Sequence, residues 1–184
     1  MSDGPGQVAS RRVYSGRIIQ LDIDTVRFPD GSIGEMEMIR HPGAAAVVPV
    51  LGGSDAADPE ILLIRQYRYA AGGSVWEVPA GRLDPGEAPE ACARRELEEE
   101  AGAMAERLER LTAIYTTPGF LDERIHLFAA YGLTPIPHRR EPDEFMEAVP
   151  RPLSHVLGMI RDGEMVDGKS IVAVLFFAAF RSGV

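Results

Sequence analysis

The segment Gly81–Ala103, GRLDPGEAPEACARRELEEEAGA, constrains this chain more than any other. Pro85-Gly86 marks a turn. Pro89 suits a first helical turn, where its missing N–H is not needed, and Gly102 suits a helix C-terminal cap. Between them the spacing predicts a helix, with Glu90 and Arg94 as an i,i+4 pair of favourable orientation. Ala93, Leu97 and Met104 are expected to face the core, on the side away from the glutamates. Glu96, Glu99 and Glu100 stand at i, i+3 and i+4, so three carboxylates project from one face. Like charges at that spacing cost a helix about 0.2–0.5 kcal/mol per pair. A hard divalent cation would offset the repulsion: Mg²⁺ takes carboxylate oxygens and leaves room for water and a substrate phosphate. The alternative is a solvated acidic helix face.

The surrounding pattern favours the cation. The stretch fits G-x5-E-x7-R-E-U-x-E-E-x-G-U, with U apolar, at Gly81, Glu87, Arg95, Glu96, Leu97, Glu99, Glu100, Gly102 and Ala103. With seven fixed identities at individual frequencies of roughly 6–7%, a chance match is on the order of one in 10⁸ per window. The segment resembles the Nudix box, the signature of hydrolases acting on nucleoside diphosphates linked to another moiety. Ala103 departs from it, since a larger aliphatic residue is usual there; the departure concerns packing and not chemistry.

By this resemblance Glu96 and Glu100 are direct metal ligands, and Glu99 is a third ligand or reaches the metal through water. The carbonyl of Ala80, the residue before the first box glycine, is a further ligand. Mg²⁺ is the implied cofactor, with Mn²⁺ as a substitute. Glu87 holds Arg95 or a peripheral metal, and Arg95 orients Glu99 or pairs with Glu87. The implied chemistry is phosphoanhydride hydrolysis, in which divalent cations neutralise the diphosphate, polarise phosphorus and lower the pKa of the attacking water.

Three segments outside the box, Ile64–Arg68, Trp76–Gly81 and Thr117–Arg124, are similar to the ADP-ribose pyrophosphatase branch of the family, as is Pro118, fifteen residues beyond Ala103. That similarity implies substrate-binding roles for Arg68, whose planar fork suits two phosphate oxygens, and for Arg40 and Glu77. Glu77 serves equally as a structural hydrogen-bonding group. Tyr67, Phe28 and Trp76 are the aromatic residues available for stacking on a base. In Glu141-Pro142-Asp143-Glu144-Phe145-Met146-Glu147 the similarity places the catalytic base that acts on water, Glu144 first and Glu141 second. Glu99 is the remaining candidate. His126, His138 and His155 lack metal-ligand spacing, and His41 is isolated.

The expected fold is an α/β/α sandwich with a mixed β-sheet over residues 44–184, the architecture that the resemblance implies. Residues 1–43 form a tail and an antiparallel β-strand arm. Met1–Ser10 is polar and expected to be loose. Pro29–Ser32 turns between strands at Leu21–Phe28 and Ile33–Ile39. Strands follow at Ala44–Leu51, Ile61–Tyr69, Val75–Val78, Leu111–Tyr115, Arg124–Tyr131 and Met146–Val149, with Gly132–Asp143 a long loop. Helices run from Pro152 to Arg161 and over Lys169–Phe180, the latter buried in the core. In the family branch the arm builds a homodimer and contributes to the partner's substrate site, so a homodimer is expected.

Charge and cysteine content narrow the class. The net charge is −9, and residues 84–100 hold seven acidic residues against two arginines, so more than half of it lies at the proposed metal site. No basic footprint for nucleic acid remains. Cys92 is the only cysteine, which excludes an intrachain disulfide and favours a reducing compartment. The apolar run Ile171–Phe180 is too short to span a bilayer, and residues 1–10 have no apolar signal region, so the expected location is cytoplasmic, away from membranes. The leading reading is Mg²⁺-dependent hydrolysis of ADP-ribose to AMP and ribose 5-phosphate. One rival keeps the chemistry with another nucleoside diphosphate sugar or a dinucleotide. Another is a non-catalytic ADP-ribose-binding regulator, which the complete glutamate set opposes.

Overall fold

The computed structural model describes residues 4–52, 56–137 and 146–180. In chain order the elements are β1 (Gly6–Ser15), β2 (Gln20–Arg27), β3 (Ile33–Arg40), β4 (Ala44–Leu51), β5 (Glu60–Arg68), a 3-10 turn (Tyr69–Ala71), β6 (Gly73–Glu77) and β7 (Ala80–Arg82). Then come α1 (Pro89–Ala101), β8 (Ala103–Tyr115), β9 (Arg124–Pro135), β10 (Met146–Pro152), α2 (Leu153–Arg161) and α3 (Gly168–Phe180). They fall into two compact units, Met1–Gly43 with Tyr115–Arg124, and Ala44–Ile114 with Ile125–Val184.

The smaller unit is an antiparallel sheet in the order β1-β2-β3. The turn between β2 and β3 closes on Asp30, whose Oδ1 accepts from the Ser32 N–H at 2.9 Å and from its hydroxyl at 2.6 Å. Strand β1 corrects the expectation of a loose tail from Gly6 to Ser10. Its polar sequence carries no hydrophobic alternation; side-chain bonds hold it instead. Gln7 and Ser10 donate to Asp24 at 3.1 and 2.7 Å, and Arg12 pairs with Asp22. Residues 115–124 dock against the end of β3, where the Ile39 N–H donates to the Phe120 carbonyl at 2.7 Å and the His41 N–H to Asp122 at 2.7 Å.

The larger unit holds a seven-stranded sheet in the order β10-β5-β4-β9-β8, with β6 paired to β5 and β7 to β4. It is mixed, because β4 runs parallel to β9 and antiparallel to β5 and β7. Strand β4 is buried on both faces and alternates between two cores. Ala44, Ala46, Val48 and Val50 pack with Leu153, Val156, Val174 and Phe177 of α2 and α3. Ala45 and Val47 pack with Cys92, Ala93, Leu97 and Ala101 of α1. The sheet therefore lies between α1 and the α2–α3 pair, the expected sandwich. Pro49 is tolerated in this central strand because it falls after the β7 pairing ends at Ala46 and before the β5 pairing begins at Val50.

Four local expectations are corrected. Met104 is exposed: the helix stops at Ala101, and on β8 the alternation turns Ala103 inward and Met104 outward. Ala103 fills its place in the core despite its size. Strand β8 begins at Ala103, well before Leu111, and β9 extends to Pro135, into the expected loop. Helix α3 buries Ala173, Val174 and Phe177 while Val172, Leu175 and Phe180 are exposed, so one face and not the whole helix is core. Among the described residues no helix is long and apolar enough to cross a membrane.

Candidate active site

Helix α1 is built as its residues dictate. Pro89 occupies its first turn, and Gly102 closes it in the left-handed conformation at φ 62°, donating its N–H to the Leu97 carbonyl. Leu97 and Ala93 bury the opposite face, which turns the glutamates toward β7. Glu96 and Glu100 are themselves buried, 8% and 5% exposed, so their oxygens sit where charge is costly unless compensated. The Ala80 N–H donates to Glu100 Oε2 at 2.9 Å. At Gly81 a Cβ would overlap the Glu96 carboxylate, so any other residue there would force that side chain or the β7 backbone to move.

Arg95 answers the acidic charge on this face. Its Nη1 donates to Glu96 Oε1 at 2.5 Å and to Glu99 Oε2 at 3.1 Å. Its Nε and Nη2 form a two-pronged bond to Glu87, both at 3.0 Å, and Nη2 also reaches the Arg82 carbonyl. The Arg95 guanidinium holds the Glu87 carboxyl down to about 2. Arg95 thus takes both partners expected of it, Glu99 and Glu87, and Glu96 as well. Cys92, fully buried beside it, is a packing residue; burial pushes its thiol up to about 12.

The donors clustered here are hard oxygens, the kind Mg²⁺ or Mn²⁺ takes, and the close approach of Gly81 places the β7 backbone beside them. Among the described residues no three Asp, Glu, His or Cys side chains converge as a ready-made chelate. Arg95 supplies the positive charge to Glu96 and Glu99 in the protein alone.

A second cluster joins β5, β6 and α3. Arg68 Nε and Nη2 donate to Glu77 Oε1 and Oε2 at 2.7 and 2.8 Å. Glu77, 3% exposed, also accepts from Lys169 Nζ at 2.5 Å, and Lys169 reaches Asp167 at 3.0 Å. Burial pushes the Glu77 carboxyl up, but the bonds from Arg68 and Lys169 outweigh it and hold it below the usual range. Glu100 and Asp167 add to the field that favours the charged Arg68. Asp167 caps α3, accepting from the Ser170 N–H and hydroxyl at 3.0 and 2.5 Å. The Ser170 hydroxyl in turn accepts from the Val78 N–H at 2.8 Å. Sequence reading did not connect Asp167, Lys169 and Ser170 to the site. An Asp three residues before Ser at the start of an apolar run was a visible capping signal, but its distant partners were not.

Other anticipated residues have partners of their own. Arg40 sits in the smaller unit, bound by Asp24, by Asp22 at 3.0 Å and by Asp122 at 3.4 Å. Trp76 donates to Glu164 at 3.1 Å, and the guanidinium groups of Arg65 and Arg151 lie 5.7 and 5.6 Å from its ring centroid. Tyr67 is exposed. Glu141, Glu144 and His138 fall outside the described residues.

The NUDIX domain pattern matches residues 40–169 of this chain, most of its length and the whole of the α1 site. The chain belongs to the NUDIX family. This Nudix protein is 37% identical to the ADP-ribose pyrophosphatase of Bacillus subtilis (strain 168) over 92% of its own length and 90% of that protein's. It is 36% identical to the methanol dehydrogenase activator of Bacillus methanolicus over the same shares. To the ADP-ribose pyrophosphatase of Mycobacterium tuberculosis (strain ATCC 25618 / H37Rv) it is 35% identical over 96% of the chain and 84% of that protein. A crystal structure of an ADP compounds hydrolase shares the fold, with a TM-score of 0.81 at 23% identity, covering 98% of this chain and 95% of that one. Nudix hydrolases generally use divalent metal ions, and the oxygen donors gathered at α1 and β7 suit them.

Proposed function

We propose that this Nudix hydrolase cleaves the diphosphate of ADP-ribose with Mg²⁺, releasing AMP and ribose 5-phosphate. The observation that carries the reading is the 37% identity to an ADP-ribose pyrophosphatase along nearly the whole of both chains, with the box glutamates intact. Glu96, Glu99 and Glu100, with the Ala80 carbonyl, hold the metal. When bound, it neutralises the diphosphate and acidifies the attacking water. Arg68 binds diphosphate oxygens through its Nη1, which donates to no described residue. Glu144 takes the proton of the water as the new P–O bond forms and the anhydride oxygen leaves. Arg40 and Glu77 are the remaining substrate-side groups, and Mn²⁺ replaces Mg²⁺.

Product analysis over ADP-ribose, ADP-glucose, NADH, diadenosine polyphosphates and ATP tests this. ADP-ribose should give the highest kcat/KM. A preference for triphosphates with release of pyrophosphate would leave only the family standing. A second reading keeps the chemistry and changes the substrate to another nucleoside diphosphate sugar or a dinucleotide; ADP-glucose or NADH as the best substrate would establish it.

Residues 1–43 are the dimerisation arm in this reading, and residues 44–184 the catalytic domain. Strand β1 is exposed along its whole length, and Val8, Val13, Tyr14, Ile18 and Ile19 lie open on or next to it. A second copy covering that apolar surface in a two-fold pair accounts for it. Light scattering at micromolar concentration should report a dimer, and Val8→Asp with Tyr14→Asp should shift it toward monomer. A fully active monomer in the unaltered protein rejects the arm's role.

A further inference from the structure

The geometry points to Lys169 as a positioning residue for the phosphate-binding face of Arg68, acting through Glu77. This rests on the reading above in which Arg68 meets the substrate diphosphate. Asp167, Lys169, Glu77 and Arg68 form a chain of alternating charge, with links of 3.0, 2.5 and 2.7 Å. The two Glu77 oxygens hold the Nε and Nη2 edge of Arg68, so the Nη1 edge of the planar fork points away from Glu77. An arginine clamped along one edge offers the other to an oxyanion with little rotamer entropy left to lose.

The clamp is only as firm as Glu77. That carboxylate is buried, and without Lys169 a single guanidinium, itself partly open to solvent, would be its sole counter-ion among the described residues. Lys169 is mostly buried, and Asp167 fixes it on the first turn of α3. Ser170 on the same turn binds the Val78 N–H, so α3 braces both Glu77 and the chain that leads into Ala80 and Gly81. Removing the Lys169 ammonium takes away one of the bonds that fix the Glu77 carboxylate, so the Arg68 clamp loosens, and makes the site one unit more negative. Both effects weaken diphosphate binding more than the chemical step.

The test is kinetic and spectroscopic, on the full-length protein. Lys169→Met should raise KM for ADP-ribose by roughly tenfold to a hundredfold, the scale of losing a hydrogen bond to a buried charge, with kcat within about threefold. Lys169→Arg should restore most of the KM. Lys169→Gln, which keeps a donor without the charge, should fall between them and serves if the Met variant does not fold. Combined with Arg68→Ala, Lys169→Met should add little, because the residue it positions is gone. The ¹⁵Nε–¹Hε resonance of Arg68 gives a readout that needs no turnover. It should exchange slowly with solvent in the unaltered protein and in Lys169→Arg, and faster in Lys169→Met. Additive KM effects, or an Arg68 resonance that ignores Lys169→Met, overturn the proposal. If the protein leaves ADP-ribose intact, the substrate reading fails while the resonance still decides whether Lys169 positions Arg68.

Discussion

Glu100→Gln should lower turnover by at least 10²- to 10³-fold, the scale expected when a group that stabilises transition-state charge is lost. The fold should survive the change. Glutamine has the same shape, and its oxygen can still accept from the Ala80 N–H, which Glu100 Oε2 meets at 2.9 Å. What goes is the negative charge, and with it affinity for the metal. The same loss should follow from Gly81→Ala, which replaces no acidic residue. A methyl there overlaps the Glu96 carboxylate, so either that side chain or the β7 backbone has to move. Circular dichroism and thermal unfolding check the fold, and Mg²⁺ titration of activity checks the site. Near-normal turnover of Glu100→Gln at saturating Mg²⁺ would remove Glu100 from the metal site. Chelation of the unaltered protein should abolish hydrolysis, and added Mg²⁺ should restore it.

Glu144→Gln should lower kcat strongly and leave KM and metal affinity nearly unchanged, the pattern of a contact made chiefly in the transition state. The expectation follows from the acidic run at residues 141–147, similar to the loop that supplies the base in the ADP-ribose pyrophosphatase branch. A general base contributes about 10²–10⁴-fold, and a fall of that size is expected in kcat alone. Glu141→Gln is the control and should be mild. The opposite ranking moves the base to Glu141, and two mild phenotypes leave Glu99 as the remaining candidate. Pre-steady-state mixing with ADP-ribose keeps a slow product-release step from masking the effect.

Much of the active-site helix was legible before any coordinates, because its determinants are local. Pro89, Gly102, the Glu90–Arg94 pair and the Arg95–Glu99 spacing each act within one or two turns, and the structure places all of them as read. The hairpin at Pro29–Ser32 was equally readable, since its turn closes on its own Asp30. Strand β1 was not. Its stabilising partners Asp22 and Asp24 are more than eight residues away, and its polar side chains show no period. Met104 was misplaced because a helical period was carried past Gly102, where the chain had already become a strand.

The sequence by itself determined the family, the box helix and the acidic face that a divalent cation would neutralise, because those are properties of residue type at short spacing. Only the tertiary structure decided that Glu96 and Glu100 are buried against β7, that Gly81 is there to admit a carboxylate, and that Arg40 is taken up by three aspartates. It also decided that Arg68 is clamped by Glu77 and that Glu77 is held in turn, across ninety-two positions of chain, by Lys169. Sheet pairing and helix docking bring such groups within 3 Å of each other. No local pattern encodes that meeting, because the energy that holds it comes from burying β4 between α1 and the α2–α3 pair.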